Sequence, residues 1–590
     1  MVKPVRNSKA LKRASILQFV IVIAIIFLIN IIASFLNLRV DLTEDQRYTL
    51  SDNTIELLSE EDRLKDRIFF KIYLDGDLPA DMQNIRNNIK NVLDEFIAYA
   101  GDNVQYEFID PDGEDDDKFN RQVQDKLYDK GQGILPTRVQ SFESNSAEEF
   151  YIWPGAIVEY GGVTADIVQF FDRPIIVLGE ELQGLVDNTL NDIEYKLISS
   201  IRKVTNVSPK SIAFLQGHGE LTERQTQEIR LELKKDYRVG DIEIESKIHA
   251  LDEVDALIIA KPKTRFSEKD KFVIDQFIMR GGKVLWMIDP IIFSEDSLVF
   301  TGETYGFAAD LNIQNDMLFK YGARINNDMI MDNNCTHEFI PPQHMSLPGT
   351  PWYFYPLIQT GNHPIVKNLD PIKMQYASSV EAVNKNDLKV QKTVLLKSSE
   401  TSKRLLPLIR INYGFVAEQF KPDFSNPSFG NNPMALLLEG EFSSPFKGRI
   451  SNNFAESDEY KTKYTSKPTK MVVIGDGDII NGSISFYQNG KKKMAPVPLN
   501  SDRFQVATKN GSPKFHFGNK EFILNTIDYL LGDASLLSIR SKSISLRMLN
   551  GEKAKTEKGF WKTLNVLFPI IFIAVLGFVL LLIRKRKYAK

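Results

Sequence analysis

Along the chain, apolar and polar positions alternate in two registers. One marks strands and the other marks helices, and together they outline two α/β units. Residues 68–74 (IFFKIYL) are a short apolar run of the kind a buried strand needs. In 85–97, Ile85, Ile89, Val92, Leu93, Phe96 and Ile97 recur at the 3.6-residue period of one helix face. Residues 104–109 (VQYEFI) return to strand spacing, and Asp110-Pro111-Asp112-Gly113 ends them in a turn. Strand, helix and strand at this spacing predict a βαβ unit with parallel strands. Residues 156–170 read as a hairpin about Gly161-Gly162, and 182–204 as a long amphipathic helix. The expectation is a thioredoxin-like α/β domain over 42–205. It carries no Cys-x-x-Cys, which excludes dithiol redox chemistry.

A second series follows. Residues 211–215, 256–260 (ALIIA) and 283–288 (KVLWMI) read as strands, and 222–235 and 267–279 as helices. Ser267 is placed to cap the second helix with Asp270 in its first turn, and Gly281-Gly282 stops it. From about 295 to 465 the sequence is rich in Asn, Pro and aromatic residues without a steady period. The rhythm resumes at 471–474 (MVVI) and Gly475-Asp476-Gly477-Asp478, and 521–531 closes as a helix. Alternating strands and helices predict a doubly wound parallel sheet from 208–295 plus 467–545, interrupted by an insertion over 296–466.

The ends change the picture. Residues 16–36 (ILQFVIVIAIIFLINIIASFL) and 564–583 (LNVLFPIIFIAVLGFVLLLI) are uncharged, each about as long as a helix needs to cross the hydrocarbon core. The first run is longer than an ordinary signal-peptide core, and no clear Ala-x-Ala site follows, so a retained anchor is expected. Lys3, Arg6, Lys9, Lys12 and Arg13 precede it without an acidic residue, which puts the tail 1–15 in the cytoplasm. A second crossing returns 584–590, with Arg584, Lys585, Arg586, Lys587 and Lys590, to the same side. The bulk of the chain is then extracytoplasmic, held in the cytoplasmic membrane at both ends. The basic tails suit anionic lipid. The net charge of -4 gives no reason to expect nucleic acid as a partner. One cysteine, Cys335, excludes an intrachain disulfide or a Cys-rich zinc site, and six His leave no evident metal cluster. No Gly-x-x-x-x-Gly-Lys-Ser/Thr occurs, so no loop for ATP phosphates is present.

Several phrases in order carry a resemblance. They are DLTEDQRYTLSDNT after the first span, FIDPD at 108–112, IAFLQGHGE at 212–220, GGKVLWMIDP at 281–290, VVIGDGDII, and NKEFILNTIDYLLGD. Together they resemble the GldG family, the membrane-anchored auxiliary, "substrate-binding" subunit of an ABC transporter associated with gliding motility. The resemblance spans nearly the whole chain. It implies a multi-span ABC permease and a cytosolic ABC ATPase as partners, and a link to gliding and surface secretion in Bacteroidetes-type bacteria. It also implies that the sheet domain is amidotransferase-like or flavodoxin-like, without catalytic residues. On this reading the chain is not an enzyme and needs no cofactor and no metal. A structural scaffold of the cell envelope, with no transported ligand, is the alternative.

Four places look like chemistry. Gly217-His218-Gly219-Glu220 follows a strand at the sheet's carboxyl end, where open α/β sheets bind ligands. It reads equally as a turn, with Thr222 capping the next helix. An amidotransferase-like nucleophile would sit in the turn after 256–260, which reads Lys261-Pro262-Lys263 and offers none. Asp289, Asp476 and Asp478 also follow strands; they suit a divalent cation or simply polar turns. The run 110–117 (DPDGEDDD) lacks the EF-hand spacing and reads as a solvated acidic loop. Trp352 and Tyr353, within PWYFYP, make either a contact surface or a local core.

Overall fold

The computed structural model describes residues 49–59, 64–113, 117–128, 133–143, 146–170, 175–177, 180–205, 209–338, 350–359, 361–367, 369–383, 389–416, 422–424, 430–449, 462–488, 491–501, 517–532 and 558–588, with 17, 19–25 and 27–28 near the start. The chain is mixed α/β with several sheets.

In the first unit β1 (Ile68–Ile72) leads into α1 (Ala80–Ala100) and then β2 (Val104–Phe108). The two strands pair in parallel, because a helical crossover returns the chain to the same end of the sheet. β3 (Gly155–Tyr160) lies antiparallel beside β1, and β4 (Val163–Gln169) beside β3, giving the order β2-β1-β3-β4. Ile85, Ile89, Leu93 and Phe96 of α1 are fully buried on Ile68, Phe70 and Ile72 of β1. The long helix α2 (Glu180–Thr205) adds Ile193, Leu197, Ile198 and Ile201 to the same core. Each aliphatic side chain withdrawn from water in this way contributes roughly 1.5–3 kcal/mol. The periodicity does not anticipate a small second sheet, Thr137–Glu143, Ser146–Ile152 and Ile175–Val177, nor a helix over Asp117–Tyr128.

The second unit is built on a seven-stranded sheet. Its strands are β5 (Ser211–Gln216), β6 (Arg238–Glu243), β7 (Ala256–Ala260), β8 (Lys283–Met287), β9 (Lys389–Lys397), β10 (Pro433–Glu441) and β11 (Thr469–Ile474). The spatial order is β9-β10-β11-β8-β7-β5-β6. β6, β5, β7, β8 and β11 run parallel; β10 pairs antiparallel with β11, and β9 antiparallel with β10. All of β7 is buried, as a strand covered on both faces must be. Ile212, Phe214, Ile258, Leu285, Met287, Val472 and Ile474 face α3 (Gln227–Leu233) and α5 (Asn519–Leu530). The alternate residues Ala213, Leu215, Leu257, Ile259, Val284, Trp286 and Val473 face α4 (Glu268–Met279). Ser267 caps α4 by accepting from Asp270 N at 3.1 Å.

Three local expectations change. The helix expected over 222–235 opens as a tighter 3₁₀ turn, Glu223–Thr226, before α3 begins. The edge strand β6 is largely exposed and carries no core-facing period, so the sequence does not announce it. Part of the insertion over 296–466 joins the main sheet, because β9 and β10 extend it. Their ladder hydrogen bonds come from distant segments, which no local period records.

At the carboxyl terminus α6 (Lys558–Tyr588) contains Lys558–Ile583, long and apolar enough to cross a membrane. Its apolar side chains are largely exposed. Most of the span expected over 16–36 lies outside the described residues; those described within it are helical and exposed.

Candidate functional site

The carboxyl ends of the parallel strands bring together most of the residues singled out in the sequence. After β5 the chain turns outward to the edge strand β6, and then crosses back to β7. The loops after β5 and β7 therefore diverge at a switch point, where such sheets open a crevice. Here that crevice is stitched shut. Lys263 N and Thr264 N, beyond β7, donate to His218 O at 2.8 and 2.9 Å, and Leu221 N donates to Ala260 O at 3.0 Å. Gly217 and Gly219 have φ of 107° and 76°, values that side-chain-bearing residues rarely adopt, so the turn reading explains both glycines. Thr222 N donates to Gln225 Oε1 at 3.0 Å, which anchors the start of the next turn.

His218 is buried, its ring stacked on Phe266 with centroids 3.9 Å apart. Nδ1 lies 3.2 Å from Glu220 Oε1, and Nε2 lies 3.5 Å from Asp270 Oδ2. Glu220 Oε2 also accepts from His218 N at 2.7 Å, so the carboxylate holds the backbone and ring of one residue. Burial works to lower the imidazole pKa, but Glu220 and then Asp270 outweigh it, and the net shift is upward. Because the folded value is raised, this group's contribution to stability is fully present below the ordinary His range. It is lost as pH rises through the folded value. His218→Gln should accordingly cost more thermal stability at pH 6 than at pH 9. A melting-temperature deficit equal at both pH values would remove the charged-imidazole account.

The second cluster centres on Lys261. Lys261 stands directly after β7 at φ 54°, in the left-handed region. Its Nζ lies 3.1 Å from Asp289 Oδ2, beyond β8, and donates to Asp478 Oδ2, beyond β11. Gly477 N donates to Asp289 Oδ1. Asp476 is fully buried; its Oδ2 accepts from Gln375 N and its Oδ1 from Asp478 N, both at 2.7 Å. Thus Asp289 and Asp478 meet on the Lys261 ammonium, with Asp476 held beside them. Among the described residues no group of three or more His, Cys, Asp or Glu side chains is placed to hold a metal ion.

The electrostatics follow from burial and crowding. Burial raises the Asp289 carboxyl, against the pull of Lys261. Burial and then the charges of Asp289 and Asp478 push the Asp476 carboxyl well up. Burial opposes the charge on Lys261, yet Asp478 and Asp289 prevail and hold its pKa well above the usual lysine range. At neutral pH Lys261 is an ammonium with no lone pair to attack a substrate.

Trp352 and Tyr353 lie elsewhere, in the strand Thr350–Ile358, buried with Phe354, Tyr355, Met329, Ile409 and Ile411. They form a local core, not an accessible contact face.

Comparison with known proteins gives a consistent family. Residues 44–159 match the model described as Domain of unknown function (DUF7088). An uncharacterized protein of Borreliella burgdorferi is 23% identical over 451 residues, covering 75% of this chain and 80% of that one. Among solved structures, the mmIFT52 N-terminal domain aligns at 14% identity over 54% of this chain and 97% of that chain. Its TM-score of 0.30 is too low to support a shared fold. Residues 209–526, more than half of the 590-residue chain and the whole of the seven-stranded sheet, match the model described as ABC-type uncharacterized transport system, and the protein belongs to this family of ABC transporter auxiliary proteins.

Proposed function

We propose that this chain is a membrane-anchored, non-catalytic auxiliary subunit of the GldG type, working in an ABC transporter complex that serves gliding motility and surface secretion. The observation that carries the non-catalytic part is the state of the sheet's carboxyl end. A charged Lys261 locked between Asp289 and Asp478 stands directly after β7, and the neighbouring switch-point crevice is closed by backbone hydrogen bonds. The sheet order β2-β1-β3-β4 with a parallel βαβ start supports a thioredoxin-like first domain. The parallel core of the second sheet supports an amidotransferase-like one without its chemistry.

The apolar helix within α6 is read as one of two anchors, with both termini in the cytoplasm and the α/β units outside. With no ATP loop in the sequence, such a subunit takes its energy from a cytosolic ATPase and its path from a permease. Purification of the tagged full-length chain in mild detergent should recover both. Recovery of envelope or motility proteins alone would overturn the transporter assignment and favour a scaffold.

A further inference from the structure

One surface of the second unit is apolar where polar side chains are expected. The strands Ile291–Ile292, Glu303–Ala308 and Ile409–Asn412 form a small antiparallel sheet. Its inner face, with Ile291, Thr304, Ile409 and Ile411, is buried, and the three isoleucines join the core around Trp352. An antiparallel sheet with one face packed ordinarily turns polar residues outward on the other. Here Ile292 pairs with Phe307, and Tyr305 lies two residues along on the same face. Gly306 pairs with Ile409, which sets Leu408 beside Phe307. Leu406 precedes it at the bend into Ile409–Asn412, and Phe300 stands on the short helix Glu295–Thr301. These six apolar and aromatic side chains are 43–69% exposed. A cluster of this kind marks an interaction face.

The border of the face is basic. The hairpin of Ser483–Gln488 and Lys491–Pro496 returns through Lys491, Lys492 and Lys493, and Lys492 Nζ lies 2.8 Å from Asp296 Oδ1. Asp296 and Phe300 are four residues apart on one helix and share its face, so the lysine strand runs beside the apolar side chains. On the sheet itself Arg410, opposite Tyr305, pairs with Glu303 at 2.7 Å. Glu295, the other acid of the helix, directs its charge to Lys261. Against Asp296 and Glu303 stand Arg410, Lys491, Lys492 and Lys493, so the border is net positive.

We propose that this face docks on an anionic phospholipid bilayer, with Phe300, Phe307, Leu406 and Leu408 entering the headgroup boundary and the lysines at 491–493 meeting lipid phosphates. Apolar side chains beside clustered basic residues suit an anionic membrane surface, whereas protein interfaces are depleted of lysine. The bilayer is within reach. Residues 533–557 separate Gly532, just past α5, from Lys558 of α6, and a stretch of that length spans at most about 90 Å. The inference rests on the reading of α6 as a membrane anchor and not on the transporter assignment.

The test uses the full-length chain with Cys335→Ala and one new cysteine carrying an environment-sensitive fluorophore. It is reconstituted in phosphatidylcholine–phosphatidylglycerol vesicles with a nitroxide on the lipid acyl chains. The cysteine is placed by Leu408→Cys on the face, by Glu253→Cys in the loop before β7, or by Val579→Cys in α6. All three positions are exposed, so the substitutions leave the fold intact. The nitroxide should quench the labels at 579 and 408, and the label at 253 roughly threefold less than that at 408. Lys491→Gln/Lys493→Gln, or vesicles of phosphatidylcholine alone, should lower the docked-to-free ratio read at 408 about tenfold. Quenching at 579 with none at 408 overturns the proposal and leaves the anchor in place. A blue-shifted but unquenched label at 408 also overturns it, and identifies a protein cover, from this chain or a second copy. So does equal quenching at 408 and 253, or docking indifferent to the lysines and to phosphatidylglycerol. An unquenched label at 579 removes the anchor, and the docking inference with it.

Discussion

Lys261→Met should destabilise the folded chain by about 3–5 kcal/mol, the cost of leaving buried charge without its partner. The methionine fills the space of the stem but returns no positive charge to Asp289 and Asp478, which flank the ammonium on two sides. The lysine side chain is only 19% exposed, so water compensates little. Lys261's pKa is raised, so the wild-type contribution is complete at neutral pH and falls away only as pH climbs through its elevated folded value.

The deficit of the variant should therefore shrink in acid, where the orphaned carboxylates take up protons. Adding Asp478→Asn to Lys261→Met should recover part of the loss, the signature of coupled neighbours. Denaturant unfolding of the full-length chain in detergent at pH 7.5 and 4.5 measures both effects. A deficit below about 0.5 kcal/mol at pH 7.5, the scale of an ordinary surface substitution, would show that the ion pairs contribute nothing net.

Gly475→Ala should cost about 3 kcal/mol or more, at the upper end of overpacking effects. A Cβ at this position would lie 2.2 Å from Ser378 O and 3.0 Å from Ser378 C, and backbone has no rotamer by which to move away. The glycine is also pinned from both sides. Its N–H donates to Met434 O at 2.9 Å, and its carbonyl accepts from Ser378 N at 2.7 Å. Relief therefore means breaking the ladder that joins β11 to β10, or displacing the segment that places Gln375 N on Asp476.

Gly217→Ala is the contrasting control. Nothing lies within 4 Å of a Cβ there, so only its φ of 107° is strained, and about 1–2 kcal/mol is expected. Melting temperatures of the two variants side by side test the distinction. Equal losses would mean that the close approach at Gly475 relaxes freely.

The sequence alone determined whatever depends on local period. The stripe through Ile85, Ile89, Leu93 and Phe96, the continuous apolar run 256–260, the Ser267 cap and the apolar carboxyl-terminal helix each follow from residues close in the chain. It also marked Gly217, Gly219, Asp289, Asp476 and Asp478 as unusual, because their residue types at strand ends carry a conformational or electrostatic cost. Tertiary structure decided what those residues meet. Lys261 and Asp478 are distant in sequence and become partners only when β7, β8 and β11 lie side by side. His218 acquires Asp270 and Phe266 from beyond β7. β9 and β10 join the sheet from a stretch with no steady period, because β9 at the edge and β10 between it and β11 take their register from partners rather than from their own pattern. Trp352 and Tyr353 show the same division: their type is equally suited to a surface and a core, and only the strands packed around them settled it as core.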